Sequence, residues 1–364
     1  MKFHWYWPFA RQEEVDWALG TPRPGETIVV QTINRTPAPQ AGVYGPVTVV
    51  RDLPDINRNV RRVFWLPSRF NTYVRRAAAR QAMWRSKQFD LVHLHYLNRF
   101  TDAIVPLPTP LVMSVHDVVP HVTRLGRAEH ALLHRTYHRA DGLVVHHQVL
   151  SDRLVQEFGV ARDRVHVVEH QVFHAPDVGP PPGDREPMVL FFGALRANKG
   201  LPVLLEAMRR IPRADVRLVI AGRGDADLEA LARGAAGTDP RIVAEVGFVP
   251  LERKRQLFAE ASVSVLPYTS FASQSGVLHD AYSHGRPVVV TDVGALGSTV
   301  VAEGTGLVAR PGDPDSLARQ ILHVLEPTTW RKLADATQVV RSERSPERTG
   351  QRLRSVYDQV LSGR

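Results

Sequence analysis

A chain of 364 residues is longer than one hydrophobic core usually organises and fits two domains of roughly 180 residues each. With 43% hydrophobic and 23% charged residues it has the composition of a globular protein. No apolar run reaches the ~18 residues a membrane-spanning helix needs, and the absence of cysteine excludes a disulfide framework and thiolate metal sites. The formal charge of +9 points towards anionic partners and is unevenly spread along the chain.

The first twenty residues, MKFHWYWPFARQEEVDWALG, carry one Lys, then aromatics, then acids, and lack the long apolar core of a signal peptide. A cytoplasmic location is the expectation, with a peripheral position at the inner membrane face as the variant the charge allows. Short apolar runs follow at Lys2–Trp7, Thr27–Gln31, Val47–Val50, Leu91–Leu94, Leu111–Val115, Gly142–Val145 and Val165–Val168. Runs rich in Val, Ile and Leu without alternation suit parallel strands covered on both faces, and helices are expected between them at Asn71–Arg85 and Ala128–Ala140. Between Ile56 and Phe89 stand Arg58, Arg61, Arg62, Arg69, Arg75, Arg76, Arg80, Arg85 and Lys87 with no acid, interleaved with Phe64, Trp65, Phe70, Tyr73 and Trp84. Such a segment could meet anionic lipid headgroups, a phosphorylated acceptor or nucleic acid, or be only a solvated arginine-rich face.

His174–Pro187, HAPDVGPPPGDREP, is too rich in Pro and Gly for a helix or an inner strand and reads as a linker. Strands then resume at Met188–Phe192, Val216–Ala221, Ile242–Val246, Ser262–Leu266, Pro287–Thr291 and Gly306–Val308. Helices alternate with them at Leu201–Arg210, Asp227–Arg233, Glu252–Ala261 and Ser316–Leu325. The expected organisation is a Rossmann-like domain over 1–173, a linker over 174–187, and a second Rossmann-like domain over 188–345. A last helix over 346–364 is able to return to the first domain. Two doubly wound α/β domains of this kind are expected to face a cleft, with ligands outside the carboxyl ends of the strands.

Four stretches carry candidate chemistry. LFFGALRANKGL, Leu190–Leu201, sets Arg196 and Lys199 beside a helix start, with Gly193 and Gly200 allowing close backbone approach. That arrangement suits a diphosphate, although capped turns with solvated cations look the same. VIAGRGDADLEAL offers Gly222 and Gly224 at a strand end, and VGFVP offers Gly247 and Phe248. Pro267–Asp292, PYTSFASQSGVLHDAYSHGRPVVVTD, reads as strand, small polar loop, helix from Gly276 to Ser283, turn and strand. It is either an anion-holding helix start or an ordinary βαβ crossover. In the first domain, SVHD places His116 and Asp117, and VHLH places His95, at strand ends where an imidazole could meet a sugar hydroxyl or assist proton transfer. Asp225-Ala-Asp227 and Asp313-Pro-Asp315 resemble metal-binding DxD pairs, but each precedes a helix, where Asp commonly serves as N-cap.

Taken in order, VHLH, SVHD, FFGALRANKG, IAGRGD, VGFV and SGVLHDAYSHGRPVVVTD resemble family 4 of the retaining glycosyltransferases over about residues 90 to 325. The resemblance implies the GT-B architecture and a nucleotide-diphosphate sugar as donor substrate, with no cofactor and no metal. The reaction it implies is hexosyl or pentosyl transfer with retention to an acceptor hydroxyl. Arg196 and Lys199 look like the pair that neutralises the donor diphosphate. His116 looks like the first-domain histidine that meets the donor sugar, Asp280 like the carboxylate for the ribose, and Gly247 and Phe248 like the backbone that reads the base. Gly193, Gly222 and Gly224 would let the backbone close on the phosphates. The family's other expected carboxylate falls on Ala272, and SQSG resembles a subgroup in which Gln274, Ser275, Gly276 and Val277 take over that wall of the site.

The acceptor is not named by these residues: a polysaccharide precursor, a lipid-linked sugar or a natural product all fit. It would be anionic or lipid-linked if it, or a membrane surface, is met through Ile56–Phe89; nucleic acid is not expected as a partner. Two other readings stay open. One is a catalytically degenerate GT-B protein acting as a binding or membrane-associated partner, motivated by Ala272. The other is a sugar-nucleotide epimerase.

Overall fold

The computed structural model describes residues 1–10, 15–33, 38–54, 65–86, 88–98, 101–119, 126–173, 186–270 and 275–363. The described chain divides into two units, Met1–Gln171 with Pro346–Arg364, and Val172–Ser345. The proline-rich stretch at 174–185 lies outside the described residues.

In the first unit β1 (Lys2–Tyr6), α1 (Val15–Gly20), β2 (Thr27–Ile33), β3 (Gly42–Tyr44), β4 (Val47–Leu53) and α2 (Trp65–Ser86) come first. They are followed by β5 (Leu91–Leu94), α3 (Thr101–Ile104), β6 (Leu111–Ser114), α4 (Arg127–His138), β7 (Gly142–Val145), α5 (Gln148–Phe158) and β8 (Val165–Val167). The sheet order is β3-β4-β2-β1-β5-β6-β7-β8, parallel except for β3, which pairs antiparallel at the edge. The strands alternate between two buried layers. Phe3 and Trp5 point into one and Tyr6 into the other, so both faces of the sheet are covered, as its parallel strands require.

The final helix of the chain, Pro346–Ser362, belongs to this unit. Its Leu353, Val356, Tyr357 and Val360 pack into the layer holding Phe3 and Trp5. Arg354 donates to both carboxylate oxygens of Glu26, at 2.8 and 2.6 Å, and these bonds hold the Glu26 carboxyl below its ordinary range.

The second unit runs β9 (Met188–Phe192), α6 (Leu201–Arg210), β10 (Arg217–Gly222), α7 (Ala226–Thr238), β11 (Ile242–Val246), α8 (Leu251–Glu260) and β12 (Val263–Leu266). It continues through α9 (Gly276–Ser283), β13 (Val288–Thr291), α10 (Leu296–Glu303), β14 (Gly306–Ala309), α11 (Pro314–Val324) and α12 (Pro327–Glu343). Its six strands are all parallel in the order β11-β10-β9-β12-β13-β14. Numbered within the unit this is 3-2-1-4-5-6, the Rossmann order, whose topological switch point lies between β9 and β12. Local sequence explains the crossovers. In α6, Leu201, Leu204, Leu205, Ala207 and Met208 form the buried stripe, and Arg209 and Arg210 sit in the last turn, where cations meet the helix dipole favourably. α11 starts at Pro314 behind Asp313, whose carboxylate accepts from the Ser316 N–H at 2.8 Å.

Candidate donor site at the switch point of the second unit

The carboxyl edge of the second sheet is knitted together beyond its strands. Gly193 N–H donates to Ala221 O (2.9 Å), Leu195 N–H to Arg223 O (3.0 Å), Asp225 N–H to Leu195 O (2.8 Å), and Gly247 N–H to Gly222 O (2.9 Å). The exits of β9, β10 and β11 therefore run side by side as bare backbone. Side chains do not fit at Gly222 or Gly224. A Cβ at Gly222 would stand 1.8 Å from the Gly193 carbonyl oxygen, and one at Gly224 would stand 1.8 Å from the Leu195 carbonyl oxygen.

After Leu195 the chain is extended at Arg196, makes a 3-10 turn over Ala197–Lys199, and turns left-handed at Gly200 (φ 71°) to start α6. The turn is fastened to the exit of β12: Thr269 N–H donates to Asn198 O at 3.0 Å and the Asn198 amide donates to Ser270 O at 3.2 Å. A Cβ on Gly200 would lie 1.8 Å from the Pro267 carbonyl oxygen, so glycine is what lets the two exits touch at the switch point.

Across this seam the Lys199 ammonium stands 3.6 Å from the centroid of the Tyr268 ring. Burial first, and the neighbouring Arg196 guanidinium second, push the Lys199 ammonium down to about 8. Tyr268 is 2% exposed, and its hydroxyl lies 3.0 Å from Ser275 Oγ, the N-cap position of α9. Burial raises the Tyr268 phenol to about 12, so it stays neutral throughout the working range. Val277 in the first turn of α9 comes within 3.3 Å of where a Gly193 Cβ would be. Among the described residues, a Cβ on Gly276 would meet nothing within 4 Å. Lys199, Gly193, Ser275, Gly276 and Val277 are thus brought together around one seam, with exposed Arg196 beside it. A cation, a helix N-terminus and a close backbone approach in one place are what a diphosphate needs.

Gln274 and Ala272 lie outside the described residues. Asp280 sits one turn further along α9, half-buried, and forms an ion pair with Lys254 of α8 at 2.6 Å. Gly247 and Phe248 lie at the exit of β11. Phe248 is 75% exposed, with the Arg223 guanidinium 5.7 Å from its ring centroid, so the two side chains form an open flat surface. Tyr268, Arg223 and Lys254 are additions that sequence reasoning missed. Tyr268 was legible as an aromatic directly at a strand exit; Lys254 and Arg223 carry no local signal. Of the two DxD pairs, Asp313 is an N-cap bound to Arg310 and Asp315 pairs with Arg210, while Asp225 and Asp227 are exposed. Neither pair joins a group of three potential metal ligands among the described residues.

In the first unit the two strand-end histidines part company. His116, half-buried, donates from Nε2 to the His95 carbonyl at 2.9 Å and stacks on Tyr96 with ring centroids 4.8 Å apart, next to half-buried Asp117. His95, expected to present its imidazole to a sugar, is instead 1% exposed. Its ring stacks on Trp7 (4.2 Å) and on His93 (3.9 Å) and abuts Trp5 and Trp17. The aromatic run Trp5–Trp7 claims it for the core, and burial drives its pKa far below the ordinary range, so it stays neutral.

The basic stretch is likewise only partly a surface. Arg76 and Arg80 are buried: Arg76 Nε donates to Pro54 O at 2.8 Å, and Arg80 pairs with Asp102 at 2.7 Å. Arg75 and Arg85 are exposed. Arg58, Arg61, Arg62 and Lys87 lie outside the described residues, as does the side chain of Arg69. Among the described residues no helix is long and apolar enough to cross a membrane.

Comparison with known proteins agrees with this fold. Residues 26–172 match the model of "Glycosyltransferase Family 4" and residues 186–327 match "Glycosyl transferases group 1", so that the two together take in most of the chain. An uncharacterized glycosyltransferase of Methanocaldococcus jannaschii is 28% identical over 275 residues, 67% of this chain and 68% of that protein. Two further curated relatives, a D-inositol 3-phosphate glycosyltransferase of Xylanimonas cellulosilytica and an O-antigen chain mannosyltransferase of Escherichia coli, align over only 46% and 39% of their own length. Among solved structures, sucrose-phosphate synthase of Thermosynechococcus elongatus superposes with a TM-score of 0.76 at 18% identity, covering 100% of both chains. Anabaena HepE in complex with UDP superposes with a TM-score of 0.68 at 16% identity, covering 100% of this chain and 99% of the other. These likenesses share the fold of paired α/β domains with parallel sheets. The chain belongs to the family 4 glycosyltransferases of GT-B architecture.

Proposed function

We propose that the chain is an active, retaining, metal-independent glycosyltransferase. It would take a sugar from a nucleoside-diphosphate donor held at the β9/β12 switch point and pass it to an acceptor hydroxyl. The observation that carries this reading is the Lys199 ammonium, partly desolvated over Tyr268, at a strand seam whose glycines leave only backbone to line it. Lys199 and Arg196 would neutralise the diphosphate as it departs, with the start of α9 from Ser275 to Val277, and Gln274 before it, as the opposite wall. Asp280 is assigned to the ribose hydroxyls, and Gly222, Gly224, Gly247 and Phe248 to the phosphates and base. His116 is assigned to the transfer step. Retention fits a site built from cations and backbone donors, which stabilise a leaving group and position an acceptor on the same face without a paired base. That HepE of the same fold holds UDP is in keeping with a nucleotide at this edge.

Thermal unfolding with UDP, GDP, TDP and ADP tests the donor half of the reading. At a hundredfold excess over Kd, a ligand bound only by the folded state adds about 2.7 kcal/mol, enough to raise Tm by roughly 5–10 °C. No shift with any of the four would remove the nucleotide from the proposal. The non-catalytic reading is favoured by one observation, the Ala272 that stands where the family expects a carboxylate. Donor turnover by purified protein separates it from the active one.

A further inference from the structure

The first unit holds a second cluster, of which the proposed transfer chemistry uses only His116. His116, His146 and His170 follow the carboxyl ends of β6, β7 and β8, three neighbouring parallel strands. Strands in a sheet lie ~4.8 Å apart, so residues just past adjacent ends fall side by side. The centroids of His116 and His146 are 5.0 Å apart and those of His146 and His170 4.9 Å. One ring nitrogen from each lies within 4.8 Å of the other two.

The hydrogen bonds fix which nitrogens of two rings carry the proton. His146 Nδ1 donates to the Val168 carbonyl at 2.8 Å and His116 Nε2 donates to the His95 carbonyl at 2.9 Å. A carbonyl only accepts, so in the neutral ring the proton stays on that nitrogen and the lone pair sits on the other. Two imidazoles each anchored by a backbone carbonyl through the non-ligating nitrogen match the outer-shell pattern of histidine metal sites.

We propose that His116, His146 and His170 form a binding site for a late first-row divalent cation such as zinc, nickel or cobalt, with an open fourth position. An all-imidazole set excludes magnesium and calcium, which require oxygen ligands. Zinc–nitrogen bonds of about 2.0–2.1 Å put tetrahedral nitrogens roughly 3.4 Å apart, so the nitrogens close by up to about 1.4 Å on the ion. Half-buried His116 and His170 are the route of entry, and buried His146 is the fixed base. An ion here takes the lone pair of His116, so occupancy would slow transfer while sparing nucleotide binding in the second unit; this consequence alone rests on the role assigned to His116.

The test uses the full chain without a histidine tag, stripped by chelator and dialysed, then titrated with zinc chloride by calorimetry and with cobalt(II) chloride by visible absorption. One equivalent should bind, cobalt should show the intense absorption of a four-coordinate ion, and magnesium should give no heat. His146→Asn and His170→Asn should each weaken zinc at least tenfold. His134→Asn, which breaks the close His134–His138 pair on α4 (4.2 Å between centroids), should leave affinity unchanged. Circular dichroism checks that each variant folds. If His146→Asn does not fold, the half-exposed His170→Asn decides. Absence of stoichiometric binding, affinity retained in His170→Asn, or affinity lost instead in His134→Asn would each overturn the site.

Discussion

Replacing Lys199 by Met keeps the length and apolar stem of the side chain and removes only its charge. At about 4 Å from a phosphate oxygen, with an effective dielectric near 20, a unit charge pair is worth about 4 kcal/mol. Lys199 is only half-buried, so water screens part of this, and about 2 kcal/mol, roughly thirtyfold in donor affinity, is the expected loss. The pH profile is more diagnostic than the size. Because burial and Arg196 lower the free ammonium to about 8, Lys199 is about nine-tenths charged at pH 7 and about one-tenth charged at pH 9. A bound diphosphate raises its pKa again, so binding takes up a proton above pH 8. Affinity should be full below pH 8 and fall about tenfold by pH 9. In the absence of ligand the sign reverses: a depressed ammonium destabilises the fold while charged, so its contribution improves as pH rises from 8 towards 10.5. Calorimetric titration of the nucleotide sugar at pH 7.0, 8.0 and 9.0 against both proteins cancels the ligand's own titration. An affinity that is flat with pH in the wild type, or a slope that survives in Lys199→Met, would refute the assignment of Lys199 to the diphosphate.

Other expected outcomes follow from the same geometry. Gly200→Ala forces a Cβ onto the Pro267 carbonyl in a left-handed turn and should cost about 3 kcal/mol or more in urea unfolding, whereas Gly276→Ala, whose Cβ would meet none of the described residues within 4 Å, should cost under about 1 kcal/mol. Asp102→Ala strands Arg80, which is 1% exposed, and should destabilise the first unit by about 3–5 kcal/mol; Arg80→Met combined with Asp102→Leu should recover most of that. Asp280→Asn keeps the shape but loses the ion pair with Lys254. If Asp280 also holds the ribose, nucleotide affinity should drop at least tenfold with little change in Tm, and unchanged affinity in calorimetry would remove Asp280 from the site.

The Val- and Leu-rich runs made the strands legible because parallel strands buried on both faces leave an unbroken apolar signature. β9, β12 and β13 appear within a residue or so of where the runs place them. β3 carries no such signature: Gly42 and Val43 are exposed at the sheet edge, so no core face patterns them. α10, LGSTVVAE, hides behind β-branched residues that read as strand. Pro327–Glu343 has its helical signal in Trp330, Leu333, Ala334, Thr337 and Val340, which a search for strand runs passes over.

For the sites, spacing along the chain marked Arg196, Lys199 and the Gly-rich turns as candidates, because one strand exit and its helix start are local. It could not give the Lys199–Tyr268 or Lys254–Asp280 contacts, which depend on β9 lying beside β12 and on α8 packing near α9. His95 and His116 have similar local sequences, and only the aromatic residues of β1 and α1 decide that one is core. The His116, His146 and His170 group is invisible in the sequence for the same reason: its members are tens of residues apart, and only the order β6-β7-β8 gathers them.

The most direct measurement is proton NMR of the purified chain incubated with a panel of UDP-, GDP-, TDP- and ADP-sugars, with and without chelator. One donor should release its nucleoside diphosphate equally well with chelator present. The transferred or hydrolysed sugar should first appear with the anomeric configuration of the donor, and Lys199→Met should slow release by two to three orders of magnitude, roughly what losing one such donor costs. No release from any donor, or a first-formed product of opposite configuration, would contradict the account.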